Sequence, residues 1–390
     1  MQHVDIAIVG GGIVGLTLAA ALKNSELSIA VIDKAACYQP LSEKPTARVS
    51  AINQANIKAL QQFDVWNYLQ QDRANPYTDM HVWDKDSFGD IHFSCGEMGS
   101  DALGIIVENQ ALVNALAEAG EAQSNVQLVT AGIERVLAGP NQTMLMLDND
   151  EVLSCRLLVG ADGANSFVRK QAGLPITFKD YEHTAIVANI KTEEPHNNVA
   201  RQAFTPTGPL ALLPMVAPNV CSIVWSQTPE QAASLMALDD EAFCNALTAA
   251  SNSKLGMTVL ETKRSAFPLT MRYARQWAKD GVVLVGDAAH TIHPLAGQGA
   301  NLGMQDALVL AETLSSLNAS GKDIGLYKNL RSYERSRKTE AMKMIAAMDG
   351  FKFLFDGNDP FKKLLRGVGL SATDRLGTIK NAFVSHAMGL

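Results

Sequence analysis

Cysteine is scarce in this 390-residue chain. Cys37, Cys95, Cys155, Cys221 and Cys244 are odd in number and show no metal-type spacing. A disulfide framework is thereby excluded, and the five read as reduced, partly buried thiols in a reducing compartment. Positive charge is short as well. Against 33 Lys and Arg stand 40 Asp and Glu, and a net charge of −7 leaves no basic excess for a nucleic-acid partner. No internal repeat or low-complexity linker is present. The apolar stretch at residues 6 to 22 contains a glycine turn and lacks a basic leader, so it reads as neither signal peptide nor membrane span. What remains is 47% hydrophobic and 19% charged with a mean hydropathy of +0.01. That balance suits a cytoplasmic globular protein large enough for two cores.

The N-terminus carries the first motif. Val4 to Val9 is an apolar, β-branched run expected as a buried parallel strand, and Ile13 to Leu22 has helical spacing. Gly10, Gly12 and Gly15 fall at the turn between them. Gly10 permits the tight turn, Gly12 admits a pyrophosphate, and Gly15 lets helix and strand pack closely. A second strand, Ser28 to Ile32, ends at Asp33, whose carboxylate suits the hydroxyls of an adenosine ribose. The whole βαβ unit predicts dinucleotide binding without separating FAD from NAD.

A second motif, Gly286-Asp287-Ala288-Ala289, closes another apolar strand at Val282 to Val285. Asp287 is expected to face the ligand crevice and accept a hydrogen bond from the ribityl chain of FAD. Pro294, Gly297 and Gly299 then shape a loop into a helix beginning near Ala300. The unpaired N–H groups of Gly299, Asn301 and Leu302 would stabilise negative charge on the N1 and C2 carbonyl edge of reduced flavin. His290 and His293 have an H-x-x-H spacing but no third nearby ligand. No metal is therefore expected, and the two histidines are read as structural or site-lining.

At this point the chain resembles the single-component FAD monooxygenases of the p-hydroxybenzoate hydroxylase type. A third signature of that family appears as Ala161-Asp162-Gly163-Ala164-Asn165-Ser166 with Arg169 after it. The resemblance implies that the Asp162 segment supports both FAD and an incoming nicotinamide nucleotide. It also puts Arg48 near the flavin ring, and Asn109 where an Arg or Gln is usual. Four further runs, Val82 to Gly89, Thr192 to His196, Val199 to Gln202 and Tyr333 to Lys338, resemble the bacterial ubiquinone-pathway hydroxylases. Within that group the 2-octaprenylphenol hydroxylases, which act at ring carbon C5, are the most similar.

The resemblance implies an α/β fold: a Rossmann-like, GR2-type FAD-binding domain, an interleaved antiparallel-sheet substrate domain and a C-terminal helical segment. The expected FAD domain takes residues 1–75, 100–178 and 265–345, the substrate sheet 76–99 and 179–264, and the helical region 346–390. The implied reaction is hydroxylation of a polyprenylphenol with NAD(P)H and O2 through a C4a-hydroperoxyflavin. NAD(P)H acts as a transient co-substrate, consistent with the lack of a second dinucleotide fingerprint. Phe204, Leu210, Leu212, Leu213, Pro214 and Trp225 could wall the substrate pocket or be ordinary core. Tyr181 and His183 are available as bases, and no catalytic residue is assigned. An isoprenoid double-bond reductase and a flavin-stabilised assembly subunit of a quinone-synthesis complex are the competing readings. A flavin halogenase is a third, but its W-x-W-x-I-P signature is absent.

Toward the C-terminus, Phe361, Leu364, Leu365 and Val368 form an apolar stripe behind Pro360, with Lys362, Lys363 and Arg366 opposite. Seven Lys or Arg against four Asp from residue 343 onward give +3. Such a helix either lies on an anionic inner-membrane surface, making the enzyme peripheral, or packs on the FAD domain, on a second copy or within a quinone-biosynthesis complex.

Overall fold

The computed structural model describes residues 1–139, 142–292 and 298–355. The apolar stripe at 361–368 lies outside these residues, as do Pro294, Gly297 and His293. Two sheets dominate.

The first sheet has a parallel centre. Gln2–Val9 lies between Ile29–Asp33 and Val152–Gly160, with Val126–Thr130 outside one neighbour and Val282–Leu284 outside the other. Burial on both faces is why these strands read as continuous apolar runs. Along the first strand Ile6 and Ile8 enter one core with Leu16, Leu112, Leu116 and Leu310, while Ala7 and Val9 enter a second with Leu145, Leu158 and Trp277. The first core is roofed by the helices Ile13–Ala21, Asn109–Glu121 and Gln298–Ala319. The second is closed by the antiparallel strands Ile133–Ala138 and Thr143–Leu147.

The other large sheet has nine strands and is antiparallel apart from the pair Asp79–Asp84 and Val199–Thr205. Its long strand Ile176–Thr192 pairs with both Val220–Gln227 and Ser265–Ala274. The strand Ile176–Thr192 runs across position 178/179, at which the sequence suggests a boundary, whereas Ser265–Ala274 begins at the other suggested boundary, 264/265. A small sheet of Val49–Asn53, Gly104–Glu108 and Ala74–Tyr77 lies beside them. The fold is thus the expected α/β architecture of a parallel sheet with antiparallel companions. Among the described residues no helix is long and apolar enough to cross a membrane.

The second sheet decides between the two alternatives left open for its apolar residues. Leu210, Leu212 and Trp225 are at most 4% exposed and pack with Phe243 and Leu247 of a helix covering the sheet. Phe204 is buried with Val82 and Ile91. Those four are core. Leu213 sits on the other face, against Ala51 and Ile106, and Pro214 is buried too. Period-two alternation separates the faces of a strand but does not say which face a helix will cover.

Candidate active site

A cleft of about 550 Å³ runs between the two sheets. One wall comes from Gly12, Ile13, Ala161 and Gly163 at the ends of the parallel strands. Another comes from Pro268, Leu269, Thr270 and Arg272 on Ser265–Ala274. Asp287, Gly299 and Ala300 form the third, with Ser50 and Asn109 completing the lining.

The glycine turn owes its shape to contacts that a side chain would forbid. Gly10 has φ +112°, and a Cβ there would meet the carbonyl oxygen of Ala161 at 2.3 Å. A Cβ on Gly15 would lie 2.0 Å from the Gly10 carbonyl oxygen, so this glycine allows the helix to start close to the strand. Gly12 differs. A Cβ there meets nothing within 4 Å, and as N-cap it offers no side-chain hydrogen bond to the helix it opens. The free N–H groups of that first turn face an open cradle that a methyl group would begin to fill. That is the arrangement a pyrophosphate requires. Asp33 is half-buried, its Oδ2 accepting from Gly11 N at 2.8 Å and its Oδ1 from Ala35 N at 3.1 Å.

Gly286, with φ +57°, lies against Val14, as does Gly303. The two glycines let the helix Ile13–Ala21 settle beside the helix Gln298–Ala319, bringing the starts of both to one cleft. Gly299 faces it with open space where a Cβ would be. Asp287 opens onto the same space. Desolvation among the surrounding walls raises its carboxyl above the ordinary range, with His290 and Arg272 pulling the other way and Asp306 adding to the rise.

The other expected positions divide. Asn109 lines the cleft, its Oδ1 accepting from Ser50 Oγ at 2.7 Å. Arg48 is exposed, its guanidinium 5.5 Å from the centre of the Phe267 ring, and is not among the lining residues. Asp162 Oδ2 accepts from Phe167 N and Val168 N at 2.6 and 3.0 Å, so this carboxylate starts the helix Phe167–Gln171, while Ala161 and Gly163 meet the cleft. Asn301 is 3% exposed and its side chain is spent within the protein: Oδ1 accepts from Asn53 N and Asn56 Nδ2, and Nδ2 donates to Ala51 O. Leu302 is half-buried, and its carbonyl accepts from Arg337. Tyr181 and His183 are buried, and neither lines the cleft.

Sequence reasoning missed Asp306. It is fully buried beneath the Gly286 turn, where it meets His290 and Arg337. One signal was available: Asp306 is the only acidic residue between Asp287 and Glu312. His290 is 2% exposed and stacks on Trp277 at 4.9 Å, which makes it a structural histidine in contact with a carboxylate.

The uncapped glycine turn, the open cradle and a second helix start at one cleft together suit an FAD. A family model described as an FAD binding domain matches residues 3–348. The 3-demethoxyubiquinol 3-hydroxylase of Escherichia coli K12 is 35% identical over 391 residues, covering 100% of this chain and 99% of its own. The chain belongs to the FAD-dependent ubiquinone-biosynthesis hydroxylases. Ubiquinone hydroxylase UbiL of Rhodospirillum rubrum is 36% identical, with 99% of this chain and 89% of its own covered. Among solved structures, p-nitrophenol 4-monooxygenase PnpA of Pseudomonas putida DLL-E4 superposes with a TM-score of 0.81 at 17% identity, covering 100% of this chain and 99% of its own. That likeness shows the shared fold. The protein is an FAD-dependent monooxygenase, and NAD(P)H is the co-substrate typical of the class.

Proposed function

We propose that this hydroxylase acts on the aromatic ring of a polyprenylphenol, at C5, using NAD(P)H and O2. The observation that carries the reading is the single cleft: the glycine turn and the antiparallel sheet share its walls, so a ring entering along Ser265–Ala274 is held in the same space as the cofactor. Support for the ring position comes from the runs Val82 to Gly89, Thr192 to His196, Val199 to Gln202 and Tyr333 to Lys338.

In this reading Gly12 takes the pyrophosphate on the turn that Gly10 and Gly15 shape, Asp33 takes the ribose, and Asp287 the ribityl chain. The backbone N–H groups of Gly299, Asn301 and Leu302 meet the flavin edge, and Arg48, Asn109 and the Asp162 turn border it. FAD supplies the activation of oxygen and the transfer of one oxygen atom to the ring. The chain's own share is binding, orientation and exclusion of water. Pro268, Leu269 and Ile292 give the cleft an apolar wall, while Thr270, Asn109 and Ser50 provide hydrogen-bonding groups that can fix the ring's orientation. A polyprenyl tail dissolves in a bilayer, so we infer peripheral contact with the inner membrane, supported by the basic excess from residue 343 onward.

The test is aerobic turnover of a short-chain prenylphenol with NADH or NADPH under labelled O2. A product carrying one labelled oxygen at C5 is expected. Label at C3, or turnover only of a demethoxyubiquinol, would move the substrate toward that of the E. coli relative. Reduced prenyl product without label would support the reductase reading instead.

A further inference from the structure

One carboxylate holds the loop that carries Asp287. Asp306 Oδ2 accepts from Gly286 N at 3.1 Å and lies 2.5 Å from His290 Nε2, so it grips the loop on both sides of Asp287. Its other oxygen, Oδ1, accepts from Arg337 Nε at 2.7 Å. These groups come from three separate segments: the helix Gln298–Ala319, the turn Gly286–His290 and the long helix Tyr327–Phe355. The turn itself is one short 3-10 segment, Gly286–Ala288, with no side-chain cap from its own N-cap residue, Val285. Gly286 lies there with φ +57°, a conformation glycine adopts without steric cost, and its lack of a side chain leaves the turn more backbone freedom to lose.

We propose that Asp306 is a positioning residue for the cofactor: through Gly286 and His290 it fixes the direction in which Asp287 faces the cleft. Asp306 is not among the residues that line the cleft. Three N–H donors converge on its two oxygens, and only a carboxylate can accept from all of them. An asparagine has one acceptor oxygen and places an NH2 against at least one of these donors. Arg337 orients the carboxylate from the far side and balances its charge, so the loop is held by a closed set of buried bonds.

The inference rests on reading the cleft as the FAD site, and FAD binding by the wild-type protein tests that reading by itself. The experiment then compares wild type, Asp306→Asn and Tyr333→Phe for FAD dissociation constant, visible flavin spectrum, midpoint potential and melting temperature. Tyr333 is a matched control. It lies on the same long helix, 1% exposed, and its hydroxyl donates to Leu284 O rather than to the 286–290 loop. Asp306→Asn is expected to weaken FAD binding at least tenfold and to displace both spectrum and potential. Tyr333→Phe should lower the melting temperature alone. If Asp306→Asn moves only the melting temperature, or if Tyr333→Phe moves the flavin properties equally, the proposal is wrong. Should Asp306→Asn not fold, Arg337→Lys decides by the same flavin readouts: altered spectrum and potential support the proposal, and wild-type values overturn it.

Discussion

Asn56 Nδ2 donates to Oδ1 of Asn301 at 2.9 Å, joining residues 245 apart in sequence. The pair ties the start of the helix Gln298–Ala319 to the helix Gln54–Gln62, and Gln305 Nε2 donates to Asn56 Oδ1. Asn301→Ala would leave Asn53 N and Ala51 O buried without their partner. An unsatisfied buried group costs about 1–3 kcal/mol, so a loss on the order of 2–4 kcal/mol is expected in urea unfolding. A loss below about 0.5 kcal/mol would show that the amide cluster does not anchor the helix.

Two glycines of one turn should answer alanine differently. Gly12→Ala meets no atom within 4 Å, so the cofactor-free protein should lose no more than about 1 kcal/mol while FAD affinity drops at least tenfold. Gly15→Ala drives a methyl to within 2.0 Å of Gly10 O and should cost about 3 kcal/mol or more even without cofactor. Calorimetry of the apo variants and FAD titration separate the two effects.

Leu210 is fully buried against the helix-covered face of its sheet. Leu210→Ala should therefore cost about 2–5 kcal/mol in stability. The ratio of hydroxylated product to NAD(P)H consumed should stay at the wild-type value. A change in that coupling ratio at full stability would put Leu210 back beside the substrate.

Burial pushes Asp306 upward, but His290 and Arg337 outweigh it and hold the carboxyl below its ordinary 3.8. Burial likewise acts on Glu334, and its bonds to Lys338, Trp277 N and Tyr327 outweigh it, holding the group below 4.5. A depressed folded pKa stabilises the fold at pH values above the unfolded one, and the contribution disappears as pH falls through the folded value. Urea midpoints should fall as pH drops below about 4.5. Glu334→Gln should flatten that fall, and an unchanged slope would remove Glu334 from the account.

How much of this was legible follows from the range of each interaction. The Gly10 to Gly15 turn and the Gly286-Asp287 pair are local in sequence, and strand, turn and helix signals coincide there. Asp33 followed from the same local order, whereas Asn109 came from the family resemblance. Asp306 and Arg337 are 31 residues apart on different helices, and neither carries a local signal of the other. Asn301 was singled out for its backbone, whereas its side chain's partners come from strand and helix residues some 250 positions earlier. Leu210 and Trp225 had the correct alternation, but the helix that covers them could be located only in three dimensions.

The order of strands in the parallel sheet has a consequence for synthesis. Gln2–Val9 emerges first, yet one of its two partners, Val152–Gly160, is made about 150 residues later, and Val282–Leu284 follows later still. The glycine turn gains its third wall only when residues 286–303 have left the ribosome. A growing chain therefore carries an unfinished nucleotide site from its first strand until residue 300 has been added, and cofactor capture waits on that later segment.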